Sequence, residues 1–163
     1  MNKISVIVLA SGLSKRFNGN KLLHLFNGKP MIEYTFEKLK QIDFDKVLVV
    51  SRYSEVLNLA KCYGFTGIKN NDETFDTSIT IKLGIDKIKN TSIGAMLIVA
   101  DEPYLKIESL NKLPEEPNDD NPDKTIILFR FPDGETTKQR KFLANNTIND
   151  LIKFKDKELI KNV

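Results

Sequence analysis

Apolar residues fall into two kinds of pattern that alternate along the chain. Residues 4–10 (ISVIVLA) form a continuous β-branched run, the signature of a strand covered on both faces. Residues 11–20 (SGLSKRFNGN) break it with Gly12 and Gly19 among Ser and Asn, which predicts a loop. Pro30 suits the first turn of a helix. Ile32, Phe36 and Leu39 follow at i, i+4 and i+7, so an amphipathic helix is expected over 30–41. A second buried strand is expected over 46–51 (KVLVVS). A helix over 53–63 follows, with Val56, Ala60 and Tyr63 on one face and Gly64 as its stop. A short strand over 65–69, a helix over 78–89 with Ile81, Ile85 and Ile88 inward, and a strand over 94–100 (GAMLIVA) complete the run.

This alternation of strand and helix predicts an α/β fold with a mostly parallel central sheet and crossover helices. Ligands of such sheets sit at the carboxyl ends of the strands. Two polar segments fall there: the loop after the first strand, and Asp101-Glu102 after the fourth. Beyond them the pattern changes. Residues 114–123 (PEEPNDDNPD) predict an exposed loop, 124–131 a strand, 132–134 a turn, and 146–160 a last helix with Ile148, Ile152 and Leu159 inward. No internal repeat is present, and one domain over 1–163 is expected.

Composition narrows the function classes. The chain has 163 residues, 40% hydrophobic and 29% charged, an ordinary globular balance. Its formal charge is only +3, from 25 basic and 22 acidic residues interspersed, so no nucleic-acid arm is expected. No apolar run approaches the roughly 18 residues of a membrane span. The single cysteine, Cys62, excludes an internal disulfide and a cysteine-built zinc site. With no signal-peptide pattern in Met1 to Ser5, a reduced cytoplasmic setting is expected.

The loop after the first strand holds Lys15, Arg16 and Lys21 among small residues. Glycine lets backbone N–H groups approach an anion, and Lys and Arg neutralise its charge, so this mixture suits a triphosphate. The standard phosphate loops do not fit. Phe17 stands where a P-loop needs its second glycine, and Ser14 breaks the dinucleotide fingerprint. A basic surface loop has the same composition. Asp101, after a fully apolar strand, can hold Mg²⁺ against phosphates; capping a turn near Pro103 is the structural alternative. His24, the one histidine, is expected to be a helix or loop residue rather than a base.

These segments resemble a known family. Leu9-Ala10-Ser11-Gly12-Leu13-Ser14-Lys15-Arg16-Phe17, followed by Asn20-Lys21, resembles the L-A-[AG]-G-x-S-x-R-[MF]-G … K signature of the MobA-like NTP transferases. Gly28-Lys29-Pro30-Met31-Ile32 resembles that family's G-K-P-L-[IV] segment. Residues 78–85 resemble its S-x-S-[IL]-x-x-G-[IL] segment, and residues 100–105 its G-D-[QM]-P-x-[LIV] metal segment. The resemblance covers residues 3–112. It runs closest to the molybdenum cofactor (molybdopterin) cytidylyltransferase branch, with molybdopterin guanylyltransferase neighbouring.

The resemblance implies a Rossmann-like three-layer nucleotidyltransferase fold. It also implies Mg²⁺-dependent transfer of CMP from CTP to molybdopterin or a similar phosphorylated acceptor, with release of pyrophosphate. Leu9, Ala10, Ser11, Gly12, Ser14, Lys15, Arg16, Lys21 and Ser78 would bind the nucleotide. Backbone around Ala10, Ser11 and Gly12 would hold base and ribose, and Ser78 would join the base pocket. Arg16, Lys21 and Asp101 would carry catalysis, with Asp101 ligating Mg²⁺. Ser11 stands where the guanylyl branch has Gly and the cytidylyl branch Ala; its Cβ places it nearer to Ala and favours CTP over GTP. The chain departs from the family pattern at Asn18, Asp76, Ala100 and Glu102, and residues 113–163 lack the family's second metal-ligand segment. Two alternatives therefore stand beside the cytidylyl reading. One is a nucleotide-binding relative without catalysis, acting with a molybdoenzyme. The other is a transferase for another acceptor.

Overall fold

A computed structural model describes residues 4–14, 17, 19–74, 76–88, 92, 94–101 and 107, with the backbone of 124–130 and 137–143. In chain order it contains β1 (Ile4–Leu9), a 3-10 turn (Lys21–Leu23), β2 (Leu25–Phe26), β3 (Lys29–Pro30), α1 (Met31–Leu39) and β4 (Val47–Ser51). There follow α2 (Ser54–Cys62), β5 (Thr66–Lys69), α3 (Thr77–Ile88), β6 (Gly94–Val99), β7 (Lys124–Arg130) and β8 (Thr137–Leu143). The main sheet has the order β5-β4-β1-β6-β7-β8. All its pairings are parallel except β7 with β8.

Period-two alternation divides the apolar residues between two faces. Val6, Val8, Val49, Met96 and Ile98 pack with Ile32, Phe36 and Leu39 of α1 and Val56 and Ala60 of α2. Ile7, Leu48, Val50, Ala95 and Leu97 pack with Ile81 and Ile88 of α3 on the other face. The result is three layers, with β1 central and covered on both sides. Burying each of the larger side chains, such as Phe36 and Ile7, contributes about 1.5–3 kcal/mol. Among the described residues no helix is long and apolar enough to cross a membrane.

The expected strands and helices of residues 4–100 are present, with ends shifted by one or two positions. Two elements differ from expectation. Residues 25–30 form a small hairpin, closed by Asn27 and Gly28 with φ of 47° and 86°. Both central residues of this mirror-image turn need positive φ, which Asn-Gly supplies most cheaply. The hairpin is held to α1 by the Tyr34 hydroxyl on the Phe26 carbonyl (2.7 Å) and by the Lys29–Glu37 ion pair. That hydrogen bond to Glu37 raises the pKa of Lys29. The other difference is β8, an antiparallel edge strand. Its sequence, TKQRKFL, lacks the apolar run of a two-sided strand but carries the basic residues that suit an edge. The expected loop over 114–123, turn over 132–134 and helix over 146–160 lie outside the described residues.

Helix α3 approaches β1 closely through Gly84. A Cβ there would lie 2.5 Å from Ile7 Cγ2, and Ile7 is fully buried. Alanine favours a helix over glycine by about 1 kcal/mol, but overpacking a rigid core costs about 1–3 kcal/mol. Gly84→Ala should therefore lower the unfolding free energy in urea. Unchanged or higher stability would show that Ile7 can yield.

Candidate functional site

The chain leaves β1 toward β4 and β5, then crosses back to β6 on the other side of β1. This reversal is a topological switch point, where the loops at the carboxyl ends of two neighbouring strands part and leave a crevice. A cleft of about 600 Å³ lies there. Leu9, Gly12, Ser14, Phe17, Lys21 and Leu22 line one side; Val99, Ala100 and Asp101 line the other.

Lys21 and Asp101 meet in this cleft, with Nζ 3.0 Å from Oδ2. Each backbone is fixed locally. Asn20 caps the 3-10 turn through its side-chain oxygen on the Leu22 N–H (3.0 Å), and buried Leu22 anchors the turn in the core. The Lys21 N–H donates to Ser14 Oγ (3.3 Å), and Ser14 itself has a left-handed φ of 51°. On the other side, the Ala100 N–H donates to the Leu9 carbonyl (3.2 Å) and Thr35 Oγ1 to the Ala100 carbonyl (3.4 Å). Asp101 thus follows a residue held by both β1 and α1.

The two charged side chains are 40% and 39% exposed. An ion pair this exposed is worth only about 0.2–1 kcal/mol. Charge-assisted hydrogen bonds contribute about 1.5–3 kcal/mol each, so an arriving anion for Lys21 and cation for Asp101 replace the pair at little cost. Asp101 is the one carboxylate among the described lining residues, and no group of three His, Cys, Asp or Glu exists among the described residues. That donor set suits Mg²⁺, which binds through one or two carboxylates plus phosphate oxygens and water.

The other expected site residues divide. Leu9, Gly12 and Ser14 join Lys21 and Asp101 around the cleft; Lys15, Arg16 and Glu102 lie outside the described residues. Ala10 is buried and donates its N–H to the Val50 carbonyl (2.9 Å). The Ser11 hydroxyl is engaged within the protein, donating to the Val50 carbonyl (3.2 Å) and accepting from Asn70 Nδ2 (3.4 Å). Ser78 does not line the cleft. Its N–H donates to Asp76 Oδ1 (2.8 Å), so Asp76 acts as a cap for α3, a residue type suited to that position. On the same helix it is Thr80 that is buried, linked through Asn70 (3.1 Å) to Ser11. His24 stacks edge-on against Phe17, with ring centroids 5.0 Å apart.

Further supporting residues, Ser51, Arg52 and Tyr53, carry no motif in the sequence. Their side chains donate to the carbonyls of Ala10, Ser11 and Gly12. Their position directly after an apolar strand, on the edge where ligands bind, is the signal that marks them.

The chain belongs to the MobA-like NTP transferase domain family, whose model matches residues 6–146 and so runs through β7 and β8. It is 31% identical over 118 residues to a 3-deoxy-manno-octulosonate cytidylyltransferase from Nitratiruptor, covering 68% of this chain and 45% of that protein. It is 30% identical over 133 residues to a probable molybdenum cofactor guanylyltransferase from Pyrococcus horikoshii, covering 81% and 65%. A solved nucleotidyl transferase from Methanothermobacter shares the fold, with a TM-score of 0.57 at 23% identity, covering 69% of this chain and 56% of that one. The chain thus spans about half to two-thirds of the length of these relatives.

The cleft and its support should separate in stability measurements. Lys21→Met and Asp101→Asn should each leave the unfolding free energy within about 1 kcal/mol of wild type. Asn70→Ala should lower it by about 1–3 kcal/mol, because Asn70 is 2% exposed and its removal strands buried partners. Urea denaturation of the three variants checks this. Large destabilisation by either cleft variant would make the ion pair structural.

Proposed function

We propose that this protein transfers a nucleoside monophosphate from an NTP to a phosphorylated acceptor, releasing pyrophosphate. The observation that carries this reading is the Lys21–Asp101 pair facing into a cleft at the switch point of a nucleotidyltransferase-like sheet. An acceptor phosphate oxygen attacks the α-phosphorus. The bond from that phosphorus to the bridging oxygen of the β-phosphate breaks, and its electron pair leaves with pyrophosphate. The acceptor phosphate is already an anion near neutral pH, its second pKa being about 6, so no protein base is required. The work left to the chain is positioning and charge neutralisation. Lys21 donates to phosphate oxygens and stabilises charge on the departing pyrophosphate. Asp101 would hold Mg²⁺, and the ion would supply further neutralisation of the phosphate charge.

The transferred group in this reading is CMP and the acceptor is molybdopterin or a similar phosphorylated molecule. Ser11 carries a Cβ and so stands nearer to the Ala of the cytidylyl branch than to the Gly of the guanylyl branch, and one relative is named a cytidylyltransferase. The relative named a probable molybdenum cofactor guanylyltransferase supports the pterin acceptor, and it favours GTP as a second reading of the base.

Thermal unfolding with CTP, GTP, ATP and UTP, each with and without Mg²⁺, tests the proposal. CTP with Mg²⁺ should stabilise most, by about 2.7 kcal/mol at a hundredfold excess over Kd. Lys21→Ala should weaken nucleotide binding about tenfold or more, the loss of one charge-assisted contact. Asp101→Ala should remove the Mg²⁺ dependence. Added molybdopterin should then release pyrophosphate. A GTP-selective shift would assign the guanylyl reaction; binding without pyrophosphate release would assign a non-catalytic role; no shift with any nucleotide would overturn the reading.

A further inference from the structure

The parallel ladder of β1 and β4 pairs residues at a constant separation of 41, from Val6 with Val47 to Leu9 with Val50. Past the end of the ladder the same offset continues, but side chains take over from backbone. Ser51 Oγ donates to the Ala10 carbonyl (2.8 Å), Arg52 Nε to the Ser11 carbonyl (2.8 Å) and the Tyr53 hydroxyl to the Gly12 carbonyl (3.0 Å). Three consecutive donors thus hold three consecutive acceptors. The donor segment is itself tied down. The Tyr53 N–H donates to Ser51 Oγ (3.1 Å), and Lys69 Nζ donates to the Arg52 carbonyl (2.6 Å).

In a planar trans peptide the N–H points opposite to the carbonyl of the same unit. Turning the carbonyls of Ala10, Ser11 and Gly12 toward the β4 segment therefore turns the N–H groups of Ser11, Gly12 and Leu13 away from it. That is the side of β1 on which β6 and the cleft lie. A row of backbone N–H groups is a binding surface for acceptor atoms. Stability alone gives little reason for the arrangement. Arg52 and Tyr53 are half-buried, and the bond to Gly12 is exposed, so water could serve there in place of the side chain.

We propose that Arg52 and Tyr53 are positioning residues, which aim the N–H groups of residues 11–13 at acceptor atoms of the bound nucleotide. The proposal rests on the nucleotidyltransferase reading of the cleft. Ser51, fully buried, does the same at the base of the loop, where it also serves the core.

The test uses the full chain with Arg52→Met, Arg52→Lys and Tyr53→Phe. Nucleotide affinity (CTP and GTP with Mg²⁺) is measured by calorimetry, thermal unfolding by circular dichroism, and amide exchange at residues 11–13 by mass spectrometry. In Arg52→Met and Tyr53→Phe, Tm should fall by no more than about 4 °C. Exchange at residues 11–13 should accelerate without nucleotide, and Kd should rise about 5- to 30-fold, the entropy of ordering a loop residue on binding. Tyr53→Phe changes no charge. Weakening by that variant therefore separates positioning from simple attraction between Arg52 and a triphosphate, and Arg52→Lys should recover affinity only in part. Unchanged affinity in Tyr53→Phe with full recovery in Arg52→Lys would overturn the proposal. So would a lower Tm with unchanged Kd, the mark of a purely structural role. Failure of wild type to bind any nucleotide would overturn the functional reading, and this inference with it; wild-type binding with unaltered variants would overturn the inference alone.

Discussion

The fold depends on one strand being covered on both faces. Val6, Ile7 and Val8 of β1 are fully buried, two facing α1 and α2 and one facing α3. A strand in that position has no room for a charged side chain, since burying an unpaired charge costs far more than any core contact returns. Chemistry is therefore displaced to the carboxyl end of β1, where the layers stop and the chain is free to be polar. The same holds for β6, whose Ala95 to Ile98 are buried before Asp101 reaches the surface. Since β1 and β6 are neighbours, their polar ends are neighbours as well. The pairing of Lys21 with Asp101 across 80 residues of sequence follows from that adjacency.

The parts of this arrangement carried by side-chain periodicity were legible in the sequence. The strands β1, β4 and β6 stand out because strands buried on both faces are predominantly apolar and free of charge, and α1 to α3 because each keeps a stripe of apolar residues. What depended on pairing was not legible. The hairpin over residues 25–30 has strands too short for any period to show, and only Asn27-Gly28 marks it. The edge strand β8 lacks a continuous apolar run and so gives little signal of its own. The cleft residues Lys21 and Asp101 could be named because each follows an apolar strand or a loop of unusual composition. Ser51, Arg52 and Tyr53 could not, because hydrogen bonding to a loop 41 residues away leaves no local pattern.

Ser78 and Thr80 show why a motif position does not fix a role. Both lie in the segment that resembles the family's, and either hydroxyl could serve a base pocket. Their places on α3 separate them. Asp76 accepts the Ser78 N–H and so starts α3 at Thr77. Thr80 shares the buried face of α3 with Ile81, Gly84 and Ile88 and meets Asn70, and Ser78 is left outside the cleft lining. The aspartate that departs from the family pattern thus serves as the cap of α3.

The same economy governs the charges of the cleft. Unpaired, a lysine and an aspartate facing the cleft would each carry an uncompensated charge. Paired, they neutralise one another. For the proposed nucleotide to reach both side chains, the pair has to be weak enough to open. Exposure supplies that weakness. At roughly 40% exposed, each charge is already partly solvated, so parting them recovers hydration that a buried pair would forfeit. In the proposed reaction a nucleotide with its metal would restore both neutralisations at once, anion against Lys21 and cation against Asp101, whereas a lone anion or a lone cation would satisfy one side and strand the other. On the proposed reading, binding of the metal and of the triphosphate would be coupled through this ion pair.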